Sequence, residues 1–176
     1  EKAKDLKFKY IMLNTNGLKI ANDLKFVEKL SKFKGGFEIY LQFDGFNDIA
    51  YQKIRGRLLI EIKKRAIENL IKCKIPITLV VTLENGVNDS QIGEIIDWAI
   101  KTPFIRGINF QPITYFGRLR KDHEINNSLT LSGVLSSICL AISEASGSRP
   151  NSCINLLWVL TSLLIVSTMC TGIRIV

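Results

Sequence analysis

Four times along the chain a short apolar run gives way to a longer segment whose apolar residues recur three and four positions apart. The runs at residues 10–13, 37–43, 77–83 and 105–110 have the length and the β-branched or aromatic content of strands. The third, Ile-Thr-Leu-Val-Val-Thr-Leu, is close to continuously apolar, as expected for a parallel strand covered on both faces. Between the runs, the 3-and-4 spacing predicts helices. One begins at Asn22 or Asp23, either of which can cap it, carries Phe26, Val27, Leu30 and Phe33 toward a core, and is stopped by Gly35-Gly36. A second, over residues 58–72, has a stripe of Leu59, Ile62, Ala66 and Leu70 that extends to Cys73, which reads as a small buried hydrophobe. A third, over 91–100, can be capped by Asp89 or Ser90 and buries Ile92, Ile95, Ile96 and Ala99. Residues 1–7 read as the end of a helix, 44–57 as a long polar connection, and 131–145 as a last helix.

Strand and helix in alternation predict right-handed βαβ crossovers, and so an α/β fold with a parallel sheet. Ligands in such folds sit at the carboxyl ends of the strands. Polar residues collect there: Asn14 and Asn16, Gln42 and Asp44, Thr82 and Asn88, Asn109 and Gln111. Period-two alternation puts Gln42 with Asp44 on one face, and Asn109 with Gln111 likewise. Any βα loop is polar, which explains the loops. It explains less well Gln42 and Asn109, each followed by an apolar residue still inside its run, and these favour a small-molecule mouth.

Composition narrows the picture. A length of 176 residues suits one domain with a substantial core, and 47% hydrophobic against 23% charged residues excludes a disordered chain. The net charge of +8 permits an anionic partner. The lysines are scattered along helices, however, with Lys63-Lys64-Arg65 and Lys72/Lys74 the densest groups, so no nucleic-acid partner is expected. Cys73, Cys139, Cys153 and Cys170 form no Cys-x-x-Cys pair, and no metal ligand set is expected. The first residues are charged and lack a signal-peptide pattern, which predicts a cytoplasmic protein with reduced thiols. Residues 1–148 read as the domain. From 149 on the composition shifts to a hydrophobic tail whose one charge after Pro150 is Arg174. Its apolar core is shorter than the roughly 20 residues of a membrane helix. A buried terminal element, a non-native tail and a membrane anchor stay open, the anchor being the least expected.

Taken together, Leu13-Asn-Thr-Asn-Gly17, Tyr40-Leu-Gln-Phe-Asp-Gly45, Tyr51-Gln-Lys-Ile-Arg-Gly-Arg57, the Gly-Val-Asn-Asp turn at 86–89 and Gly107-Ile-Asn-Phe-Gln-Pro112 resemble radical S-adenosylmethionine proteins. The resemblance is to the branch of archaeal pterin-modifying radical methyltransferases and covers about residues 5–146. It implies a partial (β/α) barrel of TIM-barrel type that binds S-adenosylmethionine at its top. There a [4Fe–4S] cluster held by three cysteines cleaves the cofactor to a 5′-deoxyadenosyl radical. It further implies that Asn14, Asn16, Gln42, Asp44, Thr82, Asn88 and Gln111 approach the cofactor. Arg55 and Arg57 match an Arg-Gly segment of the family, or equally pair with nearby carboxylates. Neither the Cys-x-x-x-Cys-x-x-Cys loop nor the Gly-Gly-Glu-Pro-like segment occurs here. The chain is therefore expected to be a C-terminal portion, truncated at its first strands, not ligating the cluster and incompetent in the radical step. A small-molecule substrate, in this branch a pterin, is implied. The alternative is a non-catalytic adenosyl- or nucleotide-binding module. The first strand would leave a parallel edge open to pairing with another chain.

Overall fold

The structure is a computed structural model that describes residues 2–33, 35–113 and 129–146. The elements run α1 (Lys2–Asp5), β1 (Ile11–Thr15), α2 (Leu18–Asn22), α3 (Leu24–Ser31), β2 (Phe37–Gln42), α4 (Asp48–Arg55), α5 (Ile60–Lys72), β3 (Ile77–Leu83), a 3₁₀ turn (Asp89–Gln91), α6 (Ile92–Lys101), β4 (Ile105–Pro112) and α7 (Leu131–Ser146). The strands form one sheet in the order β1-β2-β3-β4, and every neighbouring pair is parallel. Each crossover carries a helix, as an open barrel segment requires.

The sheet's two faces differ. Ile39, Leu41, Phe43, Ile77, Leu79, Val81, Leu83, Ile108 and Phe110 join the buried residues of α2, α3, α5, α6 and α7 in a single apolar cluster. The alternate positions face the other way. Those are Met12 and Asn14 on β1, Glu38, Tyr40 and Gln42 on β2, Thr78, Val80 and Thr82 on β3, and Gly107, Asn109 and Gln111 on β4. The described helices thus pack on one face of the sheet, and β3 is buried or half-buried along its whole length. Its two threonines lie on the inner, polar side and are half-buried, whereas Val80 between them is buried. A register shift between Ile77 and Thr78 makes Arg106 the extra residue of a bulge. That bulge turns Asn109 and Gln111 inward, opposite Val80 and Thr82.

Several local expectations need correction. Two short helices arise where turn or polar connection was expected, α2 after the β1 turn and α4 within residues 44–57. Helix α4 starts because the Asn47 side chain accepts the Ala50 amide at 3.0 Å, and Gly56 ends it in the left-handed region. Asp23 caps α3 by accepting the Phe26 amide at 2.9 Å. Neither Asp89 nor Ser90 caps α6; both lie in the 3₁₀ turn, and the cap position falls to Gln91, whose side chain makes no cap bond. The buried stripe of α5 is Ile60, Lys63, Ala66, Ile67 and Leu70, rotated from the expected one and containing a lysine. Cys73 is only half-buried at the end of α5, and burial pushes its thiol up. The hydrophobic tail and the proposed boundary at residues 148–149 lie outside the described residues. Among the described residues no helix is long and apolar enough to cross a membrane.

Candidate functional site

At the carboxyl ends of β2 and β3 the polar residues form a connected network around Asp44, whose side chain is wholly buried. Arg55 reaches back from the last turn of α4 and clasps this carboxylate with two parallel bonds, Nε to Oδ2 at 2.8 Å and Nη2 to Oδ1 at 3.0 Å. This fork-on-carboxylate geometry is the strong form of the Arg–Asp pair. The same Nη2 donates to the Thr82 hydroxyl at 2.7 Å, and the Thr82 amide donates to Asp44 Oδ1 at 3.2 Å. Turned so that both of its amide atoms are satisfied, Gln42 accepts from Arg55 Nη1 at 2.9 Å. Four side chains from β2, α4 and β3 are therefore locked to one another.

Two further residues hold this network in place. Asn88, buried in the β3–α6 loop, donates 2.7 Å bonds to the Asp44 and Thr82 carbonyls while its Oδ1 accepts the Glu84 amide at 2.9 Å. Tyr51 on α4 accepts the Asp44 amide at 3.2 Å; burial, and then the Asp44 charge, push its phenol well above the usual tyrosine range. Gly45 permits the strand to turn here. Its φ is 140°, and a Cβ would stand 2.6 Å from Gln91 Oε1, the atom that accepts the Phe46 amide.

Asn14 and Asn16 are exposed at the end of β1. Asn14 lies opposite Tyr40 in the sheet register. Asn16 Oδ1 accepts the Leu18 amide at 3.2 Å, and its carbonyl accepts Lys63 Nζ at 2.7 Å. Gln111 is half-buried opposite Thr82. The structure thus brings Gln42, Asp44, Thr82 and Asn88 into one bonded cluster. It sets Gln111 on the β4 side of that cluster and Asn14 and Asn16 at the β1 edge. Asp44 and Asn88 point into the protein, which leaves Gln42, Gln111, Asn14 and the outer edge of Arg55 to meet anything at the mouth.

Deeper on the inner face is a polar layer whose extent the loops gave no hint of. Glu38 is buried and accepts from the Tyr10 and Thr78 hydroxyls. Asn109 Nδ2 donates to the Tyr40 hydroxyl, and its buried Oδ1 has no partner among the described residues. Burial raises the Tyr40 phenol, the Asn109 bond opposes this, and the Glu38 charge adds to it. The available signal was the alternation of Glu38, Tyr40 and Gln42 inside an otherwise apolar strand. At the opposite end of the sheet a groove of about 490 Å³ is lined by Ser31, Phe33, Gly36, Cys73, Lys74 and Arg106, far from these groups in the fold.

A one-sided parallel sheet with crossover helices and polar strand ends is an α/β barrel segment. Structures of anSMEcpe with bound S-adenosylmethionine share this fold at a TM-score of 0.54 and 18% identity. A His-tagged form covers 85% of the chain and 37% of that protein, and a native form with a peptide covers 85% and 39%. No protein-family model matches the chain. Over 131 residues, 73% of its length, the chain is 40% identical to the 7,8-dihydro-6-hydroxymethylpterin dimethyltransferase of Methanocaldococcus jannaschii. Sequence and fold together place it among the radical S-adenosylmethionine proteins, on the branch of that archaeal pterin methyltransferase. It spans 26% of the relative's length.

Proposed function

We propose that the chain supplies part of the S-adenosylmethionine site of a radical methyltransferase-like enzyme acting on a pterin-class small molecule. The observation that carries this reading is the bonded mouth of Gln42, Arg55, Asp44 and Thr82 at the carboxyl ends of the parallel strands. The printed activity of the 40%-identical relative supports the substrate class.

The residues fit an adenosyl ligand. The amides of Gln42, Gln111, Asn14 and Asn16 offer both donors and acceptors, the set that ribose hydroxyls and an amino-acid end require. Asp44 and Asn88 act behind them, fixing Arg55 and the two strand ends. When bound, S-adenosylmethionine supplies an activated methyl group. The [4Fe–4S] cluster does not fit: among the described residues no group of three His, Cys, Asp or Glu side chains could hold a metal. Cys73 at the end of α5 and Cys139 on α7 are free and lie on different helices. With no Cys-x-x-x-Cys-x-x-Cys loop in its sequence, the chain in this reading binds without radical turnover, and anaerobic iron–sulfur reconstitution gives no cluster absorbance; a near-stoichiometric cluster contradicts this.

The same misfit favours a second reading, a non-catalytic adenosyl- or nucleotide-binding module. Calorimetry with S-adenosylmethionine, adenosine and a tetrahydropterin separates the two. Binding of S-adenosylmethionine well above adenosine, together with pterin binding, supports the enzyme part. Equal binding of S-adenosylmethionine and adenosine without pterin supports the module. No binding by any of the three overturns both.

A further inference from the structure

Among the described residues Lys63 is the amine that is fully buried, at 0% exposure. It sits in the apolar stripe of α5 between Ile60 and Ala66, and neither side of the ligand mouth has yet used it. Its Nζ donates to the Asn16 carbonyl at 2.7 Å, and lies 5.9 Å from the centre of the Tyr51 ring. The Tyr51 hydroxyl, in turn, accepts the Asp44 amide. One side chain therefore bonds the turn that ends β1 and faces the ring of the tyrosine that accepts the Asp44 amide. A carbonyl oxygen and an aromatic face are both partners for a cation. Asn69 of α5 holds the segment after the turn, donating to the Ile20 carbonyl at 2.9 Å, while Lys63 holds the turn itself. Gly17 has φ 81°, and its other described bonds are local: its amide to Thr15 Oγ1 at 3.1 Å, and its carbonyl from the Ala21 amide at 2.9 Å.

We infer that Lys63 is a positioning residue: its protonated amine tethers the turn bearing Asn14 and Asn16 to the Asp44–Arg55 network, so that ligand affinity at the mouth depends on that charge. The ligand half of this statement rests on the proposed adenosyl site, whereas the tether does not. Burial lowers the amine to about 8, the Asp44 charge opposes the shift, and the Arg55 charge adds to it. Of the other groups near it, Tyr51 stays neutral because its phenol is raised, and Asp48 on α4 is engaged by the Leu59 and Ile60 amides at 2.9 and 3.1 Å. The tether therefore loosens as the amine loses its proton at mildly alkaline pH.

The test follows the Asn16 carbonyl and Gly17 Cα ¹³C signals of the full chain from pH 6.5 to 9.5, alongside S-adenosylmethionine affinity. In the wild type both signals move with one midpoint near 8, and affinity falls about tenfold across it, the scale of losing the charge from one hydrogen bond. Lys63→Met abolishes the midpoint and binds about tenfold more weakly at every pH. Lys63→Arg, charged throughout, lacks the midpoint and keeps its affinity at pH 9.5. A wild-type turn without a midpoint overturns the tether, whether or not Lys63→Met folds. Signals that titrate while S-adenosylmethionine affinity stays flat overturn the coupling to the ligand. Titrating signals with no S-adenosylmethionine binding at all keep the tether and overturn the adenosyl site.

Discussion

On the helix-covered side of β2, Ile39, Leu41 and Phe43 share one apolar cluster with Leu79, Val81 and Phe110, each at 1% exposure or less. On the other side, the alternate residues Glu38, Tyr40 and Gln42 each meet a polar side chain from another element, Tyr40 reaching across β3 to Asn109 of β4. One strand thus contributes to two different kinds of structure. The outer face is stabilised by area removed from water, which tolerates any partner of suitable volume. The inner face is held by directional bonds, each of which specifies a partner. The two meet at Asp44, where the strand ends and the buried carboxylate ties α4 to β3. The lesson is that the sheet's alternation separates what makes the domain fold from what gives it a site.

That contrast can be broken in order of effect. Asp44→Ala leaves Arg55 without its carboxylate and should cost roughly 3–5 kcal/mol in urea unfolding; a loss below about 1 kcal/mol would mean the pair does not hold the mouth. Leu79→Ala, on the outer face of β3, should cost roughly 2–5 kcal/mol while leaving the pH response of the β1 turn in place. Lys63 makes a smaller, pH-dependent contribution of a definite sign. Its folded value of about 8 lies below the ordinary 10.5, so between these values the unfolded chain binds more protons. The wild type should gain stability relative to Lys63→Met as pH rises through that window, and a falling difference would contradict the burial argument. Gln42→Ala should change stability by about 0.5 kcal/mol or less yet weaken adenosyl binding, since it lies at the edge of the network.

Much of the architecture was legible in the chain. The four apolar runs became the four parallel strands, because continuous β-branched runs separated by helical periodicity allow few other arrangements. The short helices α2 and α4 were not legible, since their five and eight residues are too few for a periodic pattern to stand out. In the sequence Lys63 stands in a basic group with Lys64 and Arg65. Charge alone gives no sign that a lysine enters a core; the Asn16 carbonyl, the Tyr51 ring and the Asp44 charge that favour it there come from other segments. Its burial also removes the first member of the Lys63-Lys64-Arg65 cluster from the surface. For the site, alternation correctly grouped Gln42 with Asp44. It could not say that Asp44 points inward to Arg55, because that depends on where α4 ends. Of the two readings of Arg55, the structure shows the carboxylate pairing, with two bonds to Asp44.

In the proposed function the polar strand ends, and not the groove at the other end of the sheet, receive an adenosyl ligand. Amide chemical-shift mapping of the full chain with S-adenosylmethionine tests it most directly. The account predicts that shifts concentrate at Asn14, Gln42, Thr82 and Gln111, with Ser31, Lys74 and Arg106 unmoved. Shifts confined to Ser31, Lys74 and Arg106 would contradict it.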